Sequence, residues 1–316
     1  MQKIVIIGGG SGSYNLLRGL KRYTQDLTAI VTMFDSGGSA GICRDEFGVL
    51  PPGDVRRCLL ALSEESKHNL LLRQLFSYRF DKGTGLSGHS FGNLFLTVLK
   101  EITGSDIEAI EAAAQILKIK GRVLPVTLDR AHLCAELEDG TIIQRETNID
   151  IPKHDPNLRI KRVFLDSPAS AYCEVIDAIR AADKIIIGPG DLYTSIIPNL
   201  LVEGVPEAIK DSKAKKIFVC NVMTKFGETN DFKASDFLGE IHKYLGSSCV
   251  DVMICNDKQV SAEAERRYAE EHQFQVEIDK DAIAKTGVQL VCKDMIFEPD
   301  VIRHNPIKLA DAIMKI

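Results

Sequence analysis

Carboxylates and arginines crowd a glycine-rich stretch at residues 35–57, DSGGSAGICRDEFGVLPPGDVRR. Carboxylate oxygens beside a diphosphate suit Mg²⁺, which keeps its other coordination positions for water and phosphate oxygens. Asp35 ends a predicted buried strand, and Asp54 precedes an apolar run at helical spacing. We therefore expect these two acids as the metal ligands, and Asp54 also suits the N-cap of the helix that follows.

The same stretch carries three arginines that suit phosphate oxygens: Arg44, Arg56 and Arg57. A guanidinium donates two parallel hydrogen bonds to a phosphate, which is why arginine is favoured at such sites. Adjacent side chains on a helix point in different directions. At least one of the last two arginines is therefore expected to form only a surface ion pair.

A second polar cluster, GHSFGN, precedes another apolar run at helical spacing. An imidazole titrates near neutral pH, so His89 joins Asp35 as a candidate for acid–base chemistry. A structural role for this histidine is equally consistent with the sequence. Ser90 is the expected N-cap of the helix, and Asn93 is expected among the ligand-binding residues.

Three glycine-rich loops each lie between a predicted strand and a predicted helix. Backbone N–H groups and the positive end of the helix dipole attract phosphate there, and glycine lets the phosphate approach closely. A tight turn without a ligand is the alternative, but the strand–turn–helix–strand context favours binding. The residues expected to contact a ligand are Gly9, Gly10, Ser11 and Gly12 in the first loop, Ser36, Gly37 and Gly38 in the second, and Gly188, Gly190, Thr194 and Ser195 in the third.

The elements that must position these loops alternate between strands and helices. A strand at 4–7, the GGGSG turn, a helix at 14–23 and a strand at 27–34 form one βαβ unit of a parallel sheet. The carboxyl ends of parallel strands meet at one edge, so the three loops should surround one crevice. Asn221 ends the strand KIFVC and should reach the same edge. In the third loop, Thr194 and Ser195 also suit an N-cap.

The whole pattern predicts an α/β fold, a Rossmann-like, doubly wound and mainly parallel sheet in a single domain spanning residues 1–316. Apolar residues at helical spacing predict a helical insertion at about 55–120. Two strand-like runs around an Asp-Gly turn predict a β-hairpin insertion at about 130–147. RVFLD, at 162–166, is expected to return the chain to the α/β alternation.

Composition argues against several classes of protein. A formal net charge of −5 disfavours a nucleic-acid binder, which usually carries a basic stripe. The eight cysteines include no C-x-x-C pair, which favours free thiols in a reducing compartment over disulfides or a zinc site. No apolar run approaches the roughly 18 residues of a membrane span, and the chain opens on a strand-like run without a leader. We therefore expect a cytoplasmic protein with no membrane span.

A dinucleotide-binding fingerprint is met only in part. The pattern G-x-G-x-x-G is satisfied at Gly8 and Gly10, but its third position is Ser13. Asp35 lies where an NAD-binding protein has the acid that binds the ribose. The glycine-rich loop SGGSAG that follows it would leave a narrower groove for the adenosine of the dinucleotide. An NAD(P) oxidoreductase therefore ranks below other nucleotide-binding functions.

Seven motifs spread along the chain closely resemble those of the CofD-like superfamily, specifically its YvcK branch: GGGSG, DSGGSAG, GVLPPGDVRRCLLAL, GHSFGNLFL, GPGDLYTSIIPNLL, NVMTKFGET and RHNPIKLA. The superfamily is Rossmann-like. CofD itself is a Mg²⁺-dependent 2-phospho-L-lactate transferase that moves a phospho-acid from a guanylyl-activated donor onto a deazaflavin hydroxyl. The YvcK branch, the gluconeogenesis factors, binds UDP-sugars such as UDP-N-acetylglucosamine and affects cell shape and wall synthesis.

The resemblance implies a cytosolic regulator that binds a nucleotide sugar and supports gluconeogenic growth, with regulatory protein partners and a homo-oligomer left open. It places the first glycine loop against the diphosphate, and Tyr193 and Arg303 against the nucleotide or the sugar. No tightly bound organic cofactor is expected. The alternative that the resemblance implies is a CofD-type transferase with Mg²⁺ as its metal.

One departure from the branch bears on the metal. Where its members often have DDGGSSG, this chain has DSGGSAG, so Ser36 replaces a second acid. Fewer carboxylates weaken a two-acid metal site within this loop. Asp35 remains the principal candidate for a metal ligand.

Overall fold

The computed structural model describes residues 2–298 and 301–316. Its strands, numbered along the chain, are β1 Ile4–Gly8, β2 Leu27–Val31, β3 Arg122–Pro125, β4 Leu133–Leu137, β5 Ile142–Gln144, β6 Ile160–Leu165, β7 Lys184–Ile187, β8 Lys215–Val219, β9 Val252–Asn256, β10 Gln289–Lys293, β11 Ile296–Phe297 and β12 Arg303–His304.

The helices are α1 Gly10–Leu20, α2 Gly38–Phe47, α3 Pro52–Leu62, α4 Lys67–Ser77, α5 Phe91–Thr103, α6 Asp106–Leu117, α7 Glu146–Asp150, α8 Cys173–Ala181, α9 Ile197–Leu200, α10 Val205–Asp211, α11 Ala234–Leu245, α12 Ala262–Glu270, α13 Lys280–Ala284 and α14 Pro306–Met314. A π-helical turn, Leu192–Ile196, precedes α9. None of the helices that the structure describes is long and apolar enough to cross a bilayer.

Seven of the described strands form one parallel sheet in the order β3-β2-β1-β7-β8-β9-β10. Strands such as β1 and β2 are buried along their whole length because helices cover both faces, which explains their continuous apolar sequence. The strand order reverses between β1 and β7, the topological switch point at which doubly wound folds bind ligands. The predicted Rossmann-like α/β fold is confirmed.

The helical insertion between β2 and β3 contains one helix more than its sequence predicts. The glycine-rich stretch after Asp35, expected as an open loop, forms α2. Glycine disfavours a helix, but Ala40 and Cys43 are buried and α2 packs against α5. Gly48 ends the helix in the left-handed region, at φ 61°. Tertiary packing therefore overrides the low helix propensity of this segment.

The predicted β-hairpin is present, and a third strand extends it. β4 pairs antiparallel with β5 on one side and with β6 on the other. The expectation that RVFLD returns the chain to the main sheet is wrong, because β6 carries this run and belongs to the small sheet. A short apolar run predicts a strand but does not specify which partner the strand will pair with.

The helix α14 packs against α1 and fixes the residues before it beside the crevice. A Cβ on Gly19 of α1 would collide with the carbonyl of Pro306, so the two helices approach closely. Asn305 caps α14 by accepting the N–H groups of Ile307 and Lys308 at 3.0 and 3.1 Å. Because β12 immediately precedes this cap, its two side chains are held next to the start of α1.

Candidate functional site

A crevice with two compartments opens at the switch point, beyond the carboxyl ends of β1, β7 and β8. The β8 compartment, of about 300 Å³, is lined by residues that follow β8, by Tyr268 and by β12. The β2 compartment, of about 450 Å³, is lined by residues that follow β2, by the start of α3 and by α7. Ser11 and Asp191 line both compartments and mark where they meet.

The glycine turn at the start of α1 forms the floor between the compartments. Gly9 is the N-cap of α1 and makes no side-chain bond, so the first N–H groups of the helix need other partners. The buried carboxylate of Asp54 accepts the N–H of Gly10. The next N–H groups, of Ser11 and Gly12, belong to residues that line the crevice. Such a helix start is suited to a phosphate.

The glycines of this turn are also required by close contacts. A Cβ on Gly9 would strike Asp54, and a Cβ on Gly12 would strike the carbonyl of Pro189. Gly10 has a φ of 64°, in the left-handed region that favours glycine. The motif therefore lets the loop after β1 lie directly against the loop after β7, which is what closes the floor.

Three carboxylates lie together in the β2 compartment: Asp35, Asp54 and Glu146. Burial raises the pKa of Asp35 to about 6 and Asp54 adds to the rise, while the N–H of Gly37, at 2.8 Å, lowers it. Burial, and then the charge of Asp35, raises the pKa of Glu146 to about 8. Burial also raises the pKa of Asp54, although Arg57 opposes the rise. A divalent cation would favour the ionised forms of all three acids.

Two arginines beside these carboxylates have different roles. Arg57 lies 3.4 Å from Asp54, and its side chain is 46% exposed. Arg56 donates to Oδ1 of Asn93 at 2.8 Å and to the carbonyl of Phe76 at 3.2 Å, and burial lowers its pKa to about 10. Arg57 is therefore accessible to an anion in the crevice, whereas Arg56 bonds within the wall.

A lysine held by three carboxylates lies where the compartments meet. Nζ of Lys225 contacts Asp150 and lies 3.2 Å from Asp191 and 2.7 Å from Glu228. Burial opposes the lysine charge, but the carboxylates, Glu228 first, raise its pKa above the usual range.

Among the described residues, Glu228 pairs with Lys225 alone. Its oxygens have no partner with hydrogen-bond geometry in the described part of the chain, and burial raises its pKa to about 7 although Lys225 lowers it. Asp150, Asp191 and Glu228 are close enough together to hold a metal ion. Because the ammonium of Lys225 already lies among them, the geometry favours the lysine as their cation.

The β8 compartment offers neutral polar atoms and one aromatic ring. Asn221 donates from Nδ2 to the carbonyl of Gly190 at 2.9 Å, and its buried Oδ1 has no partner among the described residues. The Tyr268 hydroxyl accepts the N–H of Ile302 at 2.9 Å, which leaves its own O–H to donate. Arg303 adds a half-buried cation. A ring with a few placed polar groups suits a small organic ligand such as a nucleoside.

The structure brings most of the predicted ligand-binding residues to this crevice. The β8 compartment is lined by Ser11, Gly12, Gly190, Asn221 and Arg303. The β2 compartment is lined by Gly10, Ser11, Asp35, Gly37, Gly38, Asp54, Asn93, Thr194 and Ser195. That they bind a ligand stays a prediction, but the expected convergence of the three loops on one sheet edge is present in the fold.

Two predicted residues lie behind the wall of the crevice. Ser36 accepts the N–H of Thr147 at 3.1 Å and donates its own N–H to Glu146 at 3.2 Å, so it ties the loop after β2 to α7. His89 is buried, with Nδ1 3.4 Å from the hydroxyl of Ser39. That serine lines the β2 compartment and His89 does not. The proposed acid–base role of His89 therefore lacks the direct access that it needs.

Tyr193 lies in the core and not in the crevice. Its side chain is 1% exposed and packs edge-to-face with Phe232, with ring centroids 6.4 Å apart. The structure corrects the expectation of a nucleotide or sugar contact, because the π-helical turn carries this ring inward. Thr194 and Ser195 lie inside the same turn, and Asp191 precedes it, so neither of the two is an N-cap.

Three further expectations need correction. Arg44 is buried and donates to the carbonyl of Ala131 at 2.6 Å, away from the described crevice lining. Asp54 is the third residue of α3, whose N-cap is Pro51, so Asp54 does not cap the helix. Gly188, with a φ of 79°, makes the turn after β7 and is not among the described residues that line either compartment.

Four charged residues of the crevice are not predicted from the sequence: Glu146, Asp150, Asp191 and Lys225. The two on α7 lie in ETNID, which carries no motif, and the contact of Glu146 with Ser36 spans 110 residues. Asp191 lies within GPGDLYTS, directly after the second glycine of that loop, and this position could have predicted its place in the crevice. Lys225 closes NVMTK, and a lysine just past a strand end was its signal.

Comparison with known proteins decides the family. The model of the family described as 2-phospho-L-lactate transferase CofD matches residues 4–296. The chain belongs to the CofD-like family. A gluconeogenesis factor of Halalkalibacterium halodurans is 44% identical to it, over 99% of this chain and 96% of that protein. The gluconeogenesis factor of Bacillus subtilis is 41% identical, over 99% of this chain and 97% of that protein.

These relatives confirm the resemblance to the YvcK branch, and a solved structure confirms the fold. The crystal structure of a Bacillus halodurans protein is 43% identical to this CofD-like chain and covers 99% of both chains with a TM-score of 0.93. The names of the relatives link this branch to gluconeogenesis, whereas the name of the family model refers to a transferase.

Proposed function

We propose that this CofD-like chain is a cytosolic regulatory protein that binds a nucleotide sugar of the UDP-N-acetylglucosamine type. It would link precursor supply to gluconeogenic growth, the cell wall and cell shape through protein partners. The observation that supports this best is the pair of compartments that meet above the glycine turn of α1. A nucleotide sugar has the corresponding three parts: a nucleoside, a diphosphate and a sugar.

The diphosphate is assigned to the turn itself. The N–H groups of Ser11 and Gly12 belong to the first turn of α1, where the helix dipole favours an anion. Arg303 lines the β8 compartment and Arg57 lines the β2 compartment, so a cation stands on each side of the turn. A group with two negative charges fits this distribution of positive charge.

The nucleoside is assigned to the β8 compartment and the sugar to the β2 compartment. Tyr268 lines the first, and Asn221 supplies there a buried acceptor that is unpaired among the described residues. Hydroxyl groups of a sugar are donors, and the β2 compartment presents the carboxylates of Asp35 and Glu146 to accept from them. The motifs shared with the YvcK branch support the choice of a UDP-sugar.

A CofD-type transferase is the alternative, and the three carboxylates of the β2 compartment are the observation that favours it. Asp35 and Asp54, with Glu146 beside them, would hold Mg²⁺, which neutralises charge on a phosphoester. Glu146 keeps its proton near neutral pH and can donate it to a departing oxygen. The regulator ranks first because the polar groups that a transferase could use on the phosphoester are not available. Arg56 and Asn93 bond each other, and His89 lies behind the wall of the compartment.

Calorimetric titration tests the binding proposal. We expect wild-type protein to bind UDP-N-acetylglucosamine, and to bind UDP and N-acetylglucosamine 1-phosphate more weakly, because each fragment fills one compartment. Arg303→Ala should weaken binding about tenfold, since it removes a charge-assisted contact. The exposed Arg180→Ala, on α8, is the matched control and should leave binding unchanged. Absence of UDP-N-acetylglucosamine binding, together with good binding of another nucleotide, would end this proposal.

A transfer assay tests the alternative. Protein would be incubated with Mg²⁺, a guanylyl-activated phospho-acid and a deazaflavin acceptor, and release of GMP would be measured. Turnover that requires Mg²⁺ and is lost in Asp35→Ala would support a transferase. No turnover, with Asp35→Ala still binding the nucleotide sugar as wild type does, would rule it out in favour of the regulator.

A further inference from the structure

We infer that a groove between the end of α1 and the start of α14 is a second anion-binding site, whose ligand is a phosphorylated sugar. The cations that line this basic groove are Arg18, Lys21, Arg22 and Arg303. Arg303 also lines the β8 compartment, so the groove adjoins the crevice. The other three cations line neither compartment, so the inference does not depend on the proposed function.

The basic groove carries an excess of positive charge. Against its four cations stands one carboxylate among the described lining residues, that of Glu65. The chain as a whole has a formal net charge of −5, so its composition does not explain this excess. A cleft lined by one sign of charge concentrates ions of the opposite sign. The groove therefore favours an anion that carries at least two negative charges.

The carboxylate of Glu65 marks where an anionic oxygen lies in the groove. Its Oε1 is 3.3 Å from Nζ of Lys21 and 3.8 Å from both Nε of Arg18 and Nη2 of Arg73. Three cations thus converge on one oxygen, and a single carboxylate balances only one of them. The Glu65 side chain is 51% exposed, so it can turn toward solvent and leave its place to an oxygen of a phosphate.

The cations at the end of α1 combine a fixed group with accessible ones. Nζ of Lys21 donates to the carbonyl of Ser63 at 2.8 Å, which holds the ammonium at the wall. Arg18 and Arg22 are exposed, and their spacing of four positions places them side by side at the helix end. Cations at this end also complement the helix dipole, but Arg303 comes from β12 and has no such explanation.

The size and the apolar part of the groove indicate a ligand larger than free phosphate. Its volume is about 700 Å³, which is in the range of sites for small organic molecules. Phe297 and Ile307 line it with exposed fractions of 52% and 53%, and Asn15 adds an amide. The carbon atoms of a sugar can pack on the apolar side chains and its hydroxyl groups can bond the amide. A phosphate ester supplies about −1.5 to −2 charges at neutral pH.

Calorimetric titration with fructose 1,6-bisphosphate, glucose 6-phosphate and glucose tests the site. We expect wild-type protein to bind the bisphosphate most tightly and not to bind glucose, because charge dominates the lining. Arg22→Glu should weaken binding of the bisphosphate at least about tenfold, since it places a like charge beside the ligand. The matched control is Arg180→Glu, which changes an exposed arginine in the last turn of α8 and should leave binding unchanged.

Glu65→Gln should change the affinity in the opposite direction. The glutamine no longer competes with the phosphate for Arg18 and Lys21, so the bisphosphate should bind about threefold more tightly. The control is the adjacent Glu64→Gln, whose carboxylate pairs with Lys120 and does not line the groove. A cluster that only ties the helices together predicts no gain in affinity for Glu65→Gln.

The diphosphate turn is the other place where a bisphosphate could bind. Gly12 lies about 15 Å from Arg22 along α1, by the rise of a helix. Binding that is lost in Gly12→Val and unchanged in Arg22→Glu would assign the anion to the turn and overturn the inference. So would the absence of bisphosphate binding by wild type, or equal affinities of wild type, Arg22→Glu and Glu65→Gln.

A titration of protein saturated with UDP-N-acetylglucosamine separates the two proposals. Continued binding of the bisphosphate supports a second site, whereas complete competition overturns it. If wild type binds no nucleotide sugar, the proposed function fails, and Arg22→Glu and Glu65→Gln still decide whether the groove binds the phosphorylated sugar.

Discussion

The two compartments of the crevice handle charge in opposite ways. The β2 compartment buries three carboxylates beside arginines, and burial raises the pKa of Asp35 to about 6 and that of Glu146 to about 8. In the β8 compartment burial lowers the pKa of His304 to about 4, so its ring stays neutral. One side can take up cations or protons, while the other presents neutral hydrogen-bond acceptors.

The charged groups of one compartment and the neutral acceptors of the other would contribute to ligand binding in different ways. Charged groups contribute attraction that salt, pH and metal ions change, whereas buried neutral acceptors contribute selection among ligand edges. The two functions share only the glycine turn of α1 and the ion cluster around Lys225, so substitutions can affect one compartment, the other or their junction.

Lys225→Met changes the junction of the two compartments and should have the largest effect on the stability of the protein. The change leaves the buried Glu228 without its cation, and removing one partner of a buried ion pair costs about 3–5 kcal/mol. Urea unfolding should show this loss. Lys233→Met, whose lysine is half-exposed and pairs with Glu277, should cost less than about 1 kcal/mol. A loss for Lys225→Met no larger than that of this control would contradict a structural role for the cluster.

Gly12→Val should disturb both compartments through their common floor. Its side chain would collide with the carbonyl of Pro189, and overpacking of this kind costs about 1–3 kcal/mol. Calorimetry should show binding of UDP and of N-acetylglucosamine 1-phosphate falling together. Gly239→Ala is the control, because its Cβ meets no atom within 4 Å, and it should be neutral or slightly stabilising. Loss of only one of the two fragments would show that the floor is not shared.

Glu146→Gln should reveal how the buried acid of the β2 compartment makes the stability of the protein depend on pH. Because the folded pKa of Glu146 lies above its usual value of 4.5, the unfolded chain releases this proton first, and wild-type stability falls as pH rises toward about 8. The glutamine variant lacks this loss. Its stability relative to wild type should therefore increase steadily between pH 4.5 and pH 8, measured by urea unfolding.

The exposed Glu101→Gln, on α5, is the control for this titration and should show no such trend. UDP binding by Glu146→Gln should match that of wild type, because the change is confined to the β2 compartment. A parallel change in UDP affinity would mean that the compartments are coupled through α7.

Asp35→Asn should have the smallest effect and should concern Mg²⁺ alone. If Asp35 is a ligand, Mg²⁺ at ten times its dissociation constant stabilises wild type by about 1.4 kcal/mol. Thermal unfolding should show this stabilisation in wild type and its absence in Asp35→Asn. Asp45→Asn, at a half-exposed carboxylate paired with Arg145, should retain it. An equal response of wild type and Asp35→Asn to Mg²⁺ would remove Asp35 from the metal site.

The sequence predicts the part of this site that local patterns specify. Apolar strands followed by glycine turns predict the sheet, its edge and the loops that meet there. Tyr193 shows the limit of motif matching, because its π-helical turn points the ring into the core. Glu146 is tied to the loop after β2 by a contact with Ser36, 110 positions away, so no local pattern predicts it. Lys225 lies just past a strand end, which is a local signal, but its contact with Asp150 spans 75 positions. The same limit explains why the partner of β6 was missed.

The small antiparallel sheet has a consequence for how this family can diversify. Between β3 and β7 the chain leaves the parallel sheet, folds β4, β5 and β6, and returns carrying Glu146 and Asp150 on α7 to the crevice. Leu133, Ala135 and Val163 of this small sheet belong to the same hydrophobic core as the parallel strands, so its buried positions are constrained by the main sheet. Exchanging this excursion between members would change the acidic β2 compartment and, through the contact of Asp150 with Lys225, the junction with the β8 compartment.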